Sequence, residues 1–282
     1  MKKTLMAVAL ALAMTSAHSV EMTTERVEID YKVKGVFSDS THKIKLTIWR
    51  DERKPTNTPF IILNHGRSDT NLVNFDVASQ FGSLAKYLVS YGFTVIAPTR
   101  PGYGRDRENV NIEDMFGSGN SCLNGRVTDV LADQGAAILE HVRSLPYINP
   151  SNGVVAGTSY GGMMAISMAG HQLPGIKAVF SIAGGMGGNP GHEPHCKHET
   201  TELMNKYGKA SPQIPELWVY AKDEDRLPPN VVAEWSKAFK DGGGNVQVVM
   251  LPDGGHAIGI EKKISEVAQL FKKFAQDNGI IH

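Results

Sequence analysis

Six short apolar runs, each set off by glycine-rich turns or by stretches of helical spacing, constrain this chain more than any other feature. They are PFIILN (Pro59–Asn64), FTVIAP (Phe93–Pro98), GVVAG (Gly153–Gly157), IKAVFSI (Ile176–Ile182), ELWVYA (Glu216–Ala221) and VQVVML (Val246–Leu251). A strand that is apolar throughout, rather than at alternate positions, is buried on both faces. Helical spacing falls over Phe75–Tyr91, Val127–Leu145, Tyr160–Gly170, about Asn230–Lys240 and Glu261–Asp277. Gly92 ends the first of these and Pro146 stops the second. Buried strands that alternate with helices make a mainly parallel sheet covered on both sides. The earlier segments Glu25–Phe37 and His42–Arg50 alternate in part, so they read as a hairpin-like start solvated on one face.

The remaining bulk properties narrow the class. Of the 282 residues, 41% are hydrophobic and 21% charged, which argues against disorder. Formal net charge is zero, so nothing electrostatic favours nucleic acid or an acidic membrane surface. The opening MKKTLMAVALALAMTSAHSV carries Lys2 and Lys3, an apolar core from Leu5 to Met14, and small residues at Ala17 and Ser19. That layout is a secretory signal over residues 1–19, with a core too short to span a bilayer. The expected mature chain, 20–282, is then one domain exported in soluble form, secreted or periplasmic if the source is Gram-negative. Export permits a disulfide between the two cysteines, Cys122 and Cys196. Gly184 to about Pro215 shows no clear pattern and reads as a loop-rich insertion, a lid segment over a site.

Chemistry in a parallel sheet gathers beyond the carboxyl ends of its strands. There the sequence places His65-Gly66-Arg67, then Arg100-Pro101-Gly102-Tyr103-Gly104, then Thr158-Ser159, then Asp223-Glu224-Asp225, then Asp253-Gly254-Gly255-His256. Serine, acid and histidine thus follow in chain order, each at a strand end. A serine hydroxyl is a poor nucleophile without an adjacent base. Histidine titrates near neutrality, and a carboxylate fixes its tautomer. Gly157 and Gly161 flank Ser159 and give a sharp turn the room it needs. The backbone N–H of Tyr160 then faces a developing oxyanion, and a second N–H comes from Gly66 or Arg67.

On these residues the chain resembles the α/β-hydrolase superfamily: GTSYG as G-x-S-x-G, the HG after PFIILN, the R-P-G-Y-G turn, and the order Ser, acid, His. AGG after IKAVFSI and LWVYAKDEDRLPP followed by LPDGGHA are similar to its dienelactone-hydrolase-like branch and to the catalytic domain of prolyl oligopeptidases. The resemblance implies an eight-stranded, mainly parallel sheet and a serine hydrolase with Ser159 as nucleophile and His256 as base. Dienelactone hydrolase itself uses a cysteine nucleophile, so its lactone substrate does not carry over. The acid stays open among Asp223, Glu224 and Asp225. Spacing to Leu227-Pro228 favours Glu224, although relatives mostly carry Asp.

The implied activity is hydrolysis of small carboxylic esters, with a peptidase or amidase, or a silent binding protein on the same fold, as alternatives. No metal or organic cofactor is implied. Expected partners are small esters or short peptides, with no nucleic acid and no membrane insertion. Oligomeric state is not legible. Other features have plainer readings. His65 reads as a structural residue of the oxyanion loop. GGMGGNPG at 184–191 has no lysine in phosphate-loop spacing. His192, His195, Cys196 and His198 match no closed zinc pattern and read as a solvated loop at the pocket rim.

Overall fold

The computed structural model describes residues 21–33, 39–54, 56–68, 73–104 and 122–282. The expected export signal lies outside the described residues. Eight strands form one sheet: β1 (Met22–Val33), β2 (Ser40–Asp51), β3 (Thr58–Asn64), β4 (Thr94–Thr99), β5 (Ile148–Thr158), β6 (Ile176–Ile182), β7 (Pro215–Ala221) and β8 (Asn245–Leu251). Their spatial order is β1-β2-β4-β3-β5-β6-β7-β8. β1 pairs antiparallel with β2, and β2 antiparallel with β4; every later pairing is parallel. The alternating segments therefore sit at one edge and five of the six continuous apolar runs inside. The sixth, VQVVML, does not fit the expectation of burial on both faces: β8 is the opposite edge strand, with one neighbour, and of its residues Val246 alone is buried.

Among the described residues six α-helices cover the sheet: α1 (Val77–Ser90), α2 (Asn124–Ser144), α3 (Tyr160–Gly170), α4 (Lys197–Ala210), α5 (Pro229–Asp241) and α6 (Ile264–Asp277). α1 packs against α6, while α2, α3, α4 and α5 form a second contiguous layer. The two layers take different sequences. α6 is amphipathic and buries Val267, Ala268, Phe271, Phe274 and Ala275, a stripe at helical spacing. Phe271 stacks on Phe180 of β6 at 4.8 Å and contacts Phe93 at 5.4 Å. Such a ring contributes about 1.5–3 kcal/mol by leaving water. α3 is central and buried from Tyr160 to Ala169, which its small and apolar residues allow.

The segment expected to be loop-rich, 184–215, contains α4. Its buried face is Thr200, Leu203, Met204, Tyr207 and Gly208, again at helical spacing but with polar and small members that hide the pattern. α4 is tied to α2 at both their starts. Cys122 and Cys196 form a disulfide. The Glu199 carboxylate accepts from the backbone N–H groups of Asn124 at 3.0 Å and Gly125 at 3.1 Å. α2 has no side-chain cap of its own, so Glu199 satisfies two of its orphan donors from a neighbouring helix. Closing a 74-residue separation also restricts the unfolded chain, by about 4 kcal/mol on a loop-entropy basis.

One buried group opposes the fold at neutral pH. Glu216, near the start of β7, is fully buried. Its Oε2 accepts from Trp218 Nε1 at 2.7 Å, and Oε1 has no partner among the described residues. Burial pushes its pKa up to about 8, against a smaller opposing effect of the Trp218 bond. The folded state thus holds this proton while the unfolded chain releases it near its ordinary value of 4.5. The stabilisation is complete below that value, declines as pH rises, and is gone above about 8. The span is about 5 kcal/mol. Glu216→Gln keeps the shape without the charge, so its melting temperature should gain on wild type from pH 5 to pH 8. Parallel melting curves across that range would contradict the assignment.

Candidate active site

The sheet order reverses direction at β3. The chain leaves β3 for β4 on one side and returns to β5 on the other, so the carboxyl ends of β3 and β5 form a switch-point crevice. Gly66 follows β3 and Ser159 follows β5. Asn64 and Gly157 are register partners at this end.

Ser159 has φ 53° and ψ −122°, a conformation rare for a residue with a side chain. It costs of order 1–3 kcal/mol and persists only where surroundings impose it. Those surroundings are visible. Ser159 N–H donates to the Ile182 carbonyl at 2.9 Å, and its own carbonyl accepts from Gly162, Met163 and Gly185. The flanking glycines are there for closeness. A β-carbon on Gly161 would lie 2.2 Å from the Asn64 carbonyl oxygen, and one on Gly157 would lie 2.2 Å from that of Gly161. Larger residues would push α3 off the ends of β3 and β5.

The three expected side chains meet. His256 Nε2 lies 2.8 Å from Ser159 Oγ, and its Nδ1 lies 3.0 Å from both carboxylate oxygens of Glu224. The Glu224 side chain is wholly buried and also accepts from the Arg226 backbone N–H at 2.9 Å. With a carboxylate on Nδ1, that nitrogen carries the proton and Nε2 is left to accept from the serine.

The neighbouring acids do other things. Asp223 turns its carboxylate to the N–H groups of Gly255 at 2.9 Å and Gly254 at 3.3 Å, shaping the loop that carries His256. These backbone donors, Gly255 foremost, hold its pKa below the usual carboxylate range. Asp225 is exposed, and its carbonyl accepts from the Gly191 N–H.

Tyr160 is the first residue of α3, where a backbone N–H has no acceptor within the helix. Gly66 abuts the serine: a β-carbon there would stand 3.2 Å from Ser159 Cβ and 3.8 Å from Oγ. His65 is buried behind it, in contact with the rings of Phe75 at 4.3 Å and Tyr103 at 4.5 Å. A cavity of about 630 Å³ opens over the serine. Gly66, Arg67, Tyr160 and the 185–189 turn line it, with His195, Arg226, Leu227 and His256. So part of 184–215 reaches the pocket. Of its histidine-cysteine cluster, only His195 does. His198 pairs with Glu202 along α4 at 3.3 Å. Cys122, His195 and Cys196 stand close enough to share a metal, but both sulfurs are spent in the disulfide.

A sharp strand-to-helix turn with serine at its apex, on an eight-stranded sheet in this order, decides the architecture. The chain has the α/β-hydrolase fold. A family model described as the alpha/beta hydrolase family matches residues 61–199. No curated protein is significantly similar to the sequence. Among solved structures, a candidate dienelactone hydrolase from Klebsiella pneumoniae subsp. pneumoniae is similar at 18% identity and a TM-score of 0.59, covering 90% of this chain and 99% of its own. Est1E from Butyrivibrio proteoclasticus is similar at 13% identity and 0.59, covering 88% and 98%. An acylaminoacyl peptidase is similar at 16% identity and 0.59, covering 90% of this chain but 41% of its own. This α/β-hydrolase fold thus occurs in a candidate dienelactone hydrolase and a peptidase alike, as the sequence resemblance implied.

Proposed function

We propose that this protein is an exported serine hydrolase that cleaves carboxylic esters through an acyl-enzyme on Ser159. The continuous contact from Ser159 Oγ through His256 to the buried Glu224 carries the proposal. In the first step Ser159 Oγ bonds to the ester carbonyl carbon as its proton passes to His256 Nε2. The carbonyl oxygen becomes an oxyanion, held by the N–H of Tyr160 and one from Gly66 or Arg67. Glu224 stabilises the imidazolium and keeps its Nδ1 side fixed. The oxyanion collapses, the alcohol leaves with the His256 proton, and water repeats the sequence to release the acid.

The disulfide and the signal-like leader support an extracellular or periplasmic setting. An aqueous route without membrane insertion fits the described helices, none of which is long and apolar enough to cross a bilayer. The ester reading is favoured over the peptidase reading because the chain matches Est1E over 98% of that protein's length but the acylaminoacyl peptidase over 41%.

A substrate panel tests the reading. Purified mature protein should hydrolyse p-nitrophenyl acetate and butyrate with kcat/KM at least about 100-fold above its value on aminoacyl p-nitroanilides, a gap of about 3 kcal/mol in transition-state binding. Faster cleavage of the anilides would move the assignment to a peptidase. Turnover of neither class by folded protein would leave a binding protein on this fold.

A further inference from the structure

Behind the oxyanion loop lies a buried cation that the reaction above does not use. Arg100 follows β4 and is 1% exposed. Its Nη1 donates to the His65 carbonyl at 2.7 Å, and Nη2 lies 3.5 Å from the Gly66 carbonyl. Its backbone N–H donates to His65 Nε2 at 3.2 Å, while His65 Nδ1 reaches the Gly66 carbonyl at 2.7 Å. A carbonyl only accepts and a backbone N–H only donates, so the ring carries its proton on Nδ1 and is neutral. Burial, and next the Arg100 charge, hold the His65 pKa well below the usual histidine range. His65 is thus a fixed two-ended strut.

In a trans peptide the C=O and N–H point in opposite directions. Anchoring the Gly66 carbonyl on His65 and Arg100 therefore turns the Arg67 N–H away from them. Gly66 is also the residue whose Cα faces Ser159. We infer that Arg100 is a positioning residue for the oxyanion hole: its guanidinium holds the 65–67 peptides so that the Arg67 N–H faces the developing oxyanion. Its charge sits behind the same carbonyls in a low-dielectric setting and draws the peptide dipole toward a stronger donor. A lysine can keep the charge but not the planar fork that serves two carbonyls. The inference rests on the serine-hydrolase reading.

The test compares wild type, Arg100→Lys and Arg100→Gln after thermal melts confirm folding. It reads kcat and KM on p-nitrophenyl butyrate and the Ki of an alkyl trifluoromethyl ketone. That ketone bonds through its carbonyl carbon to Ser159 Oγ, sends the serine proton to His256 and leaves an oxyanion. In both variants kcat should fall about 100-fold, the effect of losing one oxyanion donor, with KM within about threefold. The ketone Ki should rise by a similar factor. A merely structural arginine would lower the melting temperature without this split. Unchanged kcat and Ki in a folded variant overturn the inference while leaving the hydrolase reading intact. A wild-type protein inert to ester and ketone overturns that reading, and this inference with it. If neither variant folds, the ¹⁵N-labelled wild type decides. Ketone addition should shift the Arg67 amide and Arg100 guanidinium resonances together, and an unmoved Arg67 amide overturns the inference.

Discussion

Ser159→Ala should lower ester turnover by about 10⁶-fold, the scale seen when an activated serine is removed from such a set. The whole loss should appear in kcat. Ser159 sits between β5 and α3, and its backbone is held by Ile182, Gly162, Met163 and Gly185, not by Oγ. The hydroxyl meets His256 Nε2. The variant should therefore keep its melting temperature to within about a kcal/mol of stability. A loss of fold, or residual activity within tenfold of wild type, would mean that the serine has another task.

Glu224→Gln should cost about 10⁴-fold in kcat. The amide keeps the volume, but it presents N–H groups where His256 Nδ1 needs an acceptor. The ring then turns its proton toward Ser159 and can no longer accept one. Asp223→Asn and Asp225→Asn serve as internal controls. Asp223 holds two backbone N–H groups of the His256 loop, and an asparagine oxygen still accepts one, so activity should stay within about tenfold of wild type. Asp225 is exposed, so its variant should be near wild type. Steady-state kinetics on one ester separates the three. Loss at Asp223 with Glu224→Gln active would reverse the assignment.

How far these roles could be read from sequence depended on the kind of signal. β3 through β7 were legible because both faces are buried, which leaves uninterrupted apolar runs such as PFIILN; VQVVML showed a strand but not that β8 is a half-buried edge. Ser159 and His256 were legible because their position at strand ends is a matter of order along the chain. Among the three adjacent acids, spacing favoured Glu224 without deciding it, and the turn after β7 sends that one inward and its neighbours out. α4 escaped because its buried stripe contains Thr200 and Gly208, and because its start is pinned by a disulfide and not by a capping signal. Arg100 appeared only as part of a turn. Its reach back to the carbonyls of His65 and Gly66 joins residues 35 and 34 apart, which no local pattern encodes. The borrowed Glu199 cap on α2 is hidden for the same reason.

The central claim is that Ser159 is an activated nucleophile. Labelling the folded mature protein with a fluorophosphonate, followed by peptide mapping, tests it most directly. The reagent's phosphorus bonds to an activated serine oxygen, with fluoride as leaving group. The account predicts one stoichiometric adduct on the peptide that carries Ser159, none in Ser159→Ala, and slow labelling in Glu224→Gln. An adduct on a different serine, or none on folded wild-type protein, would contradict it.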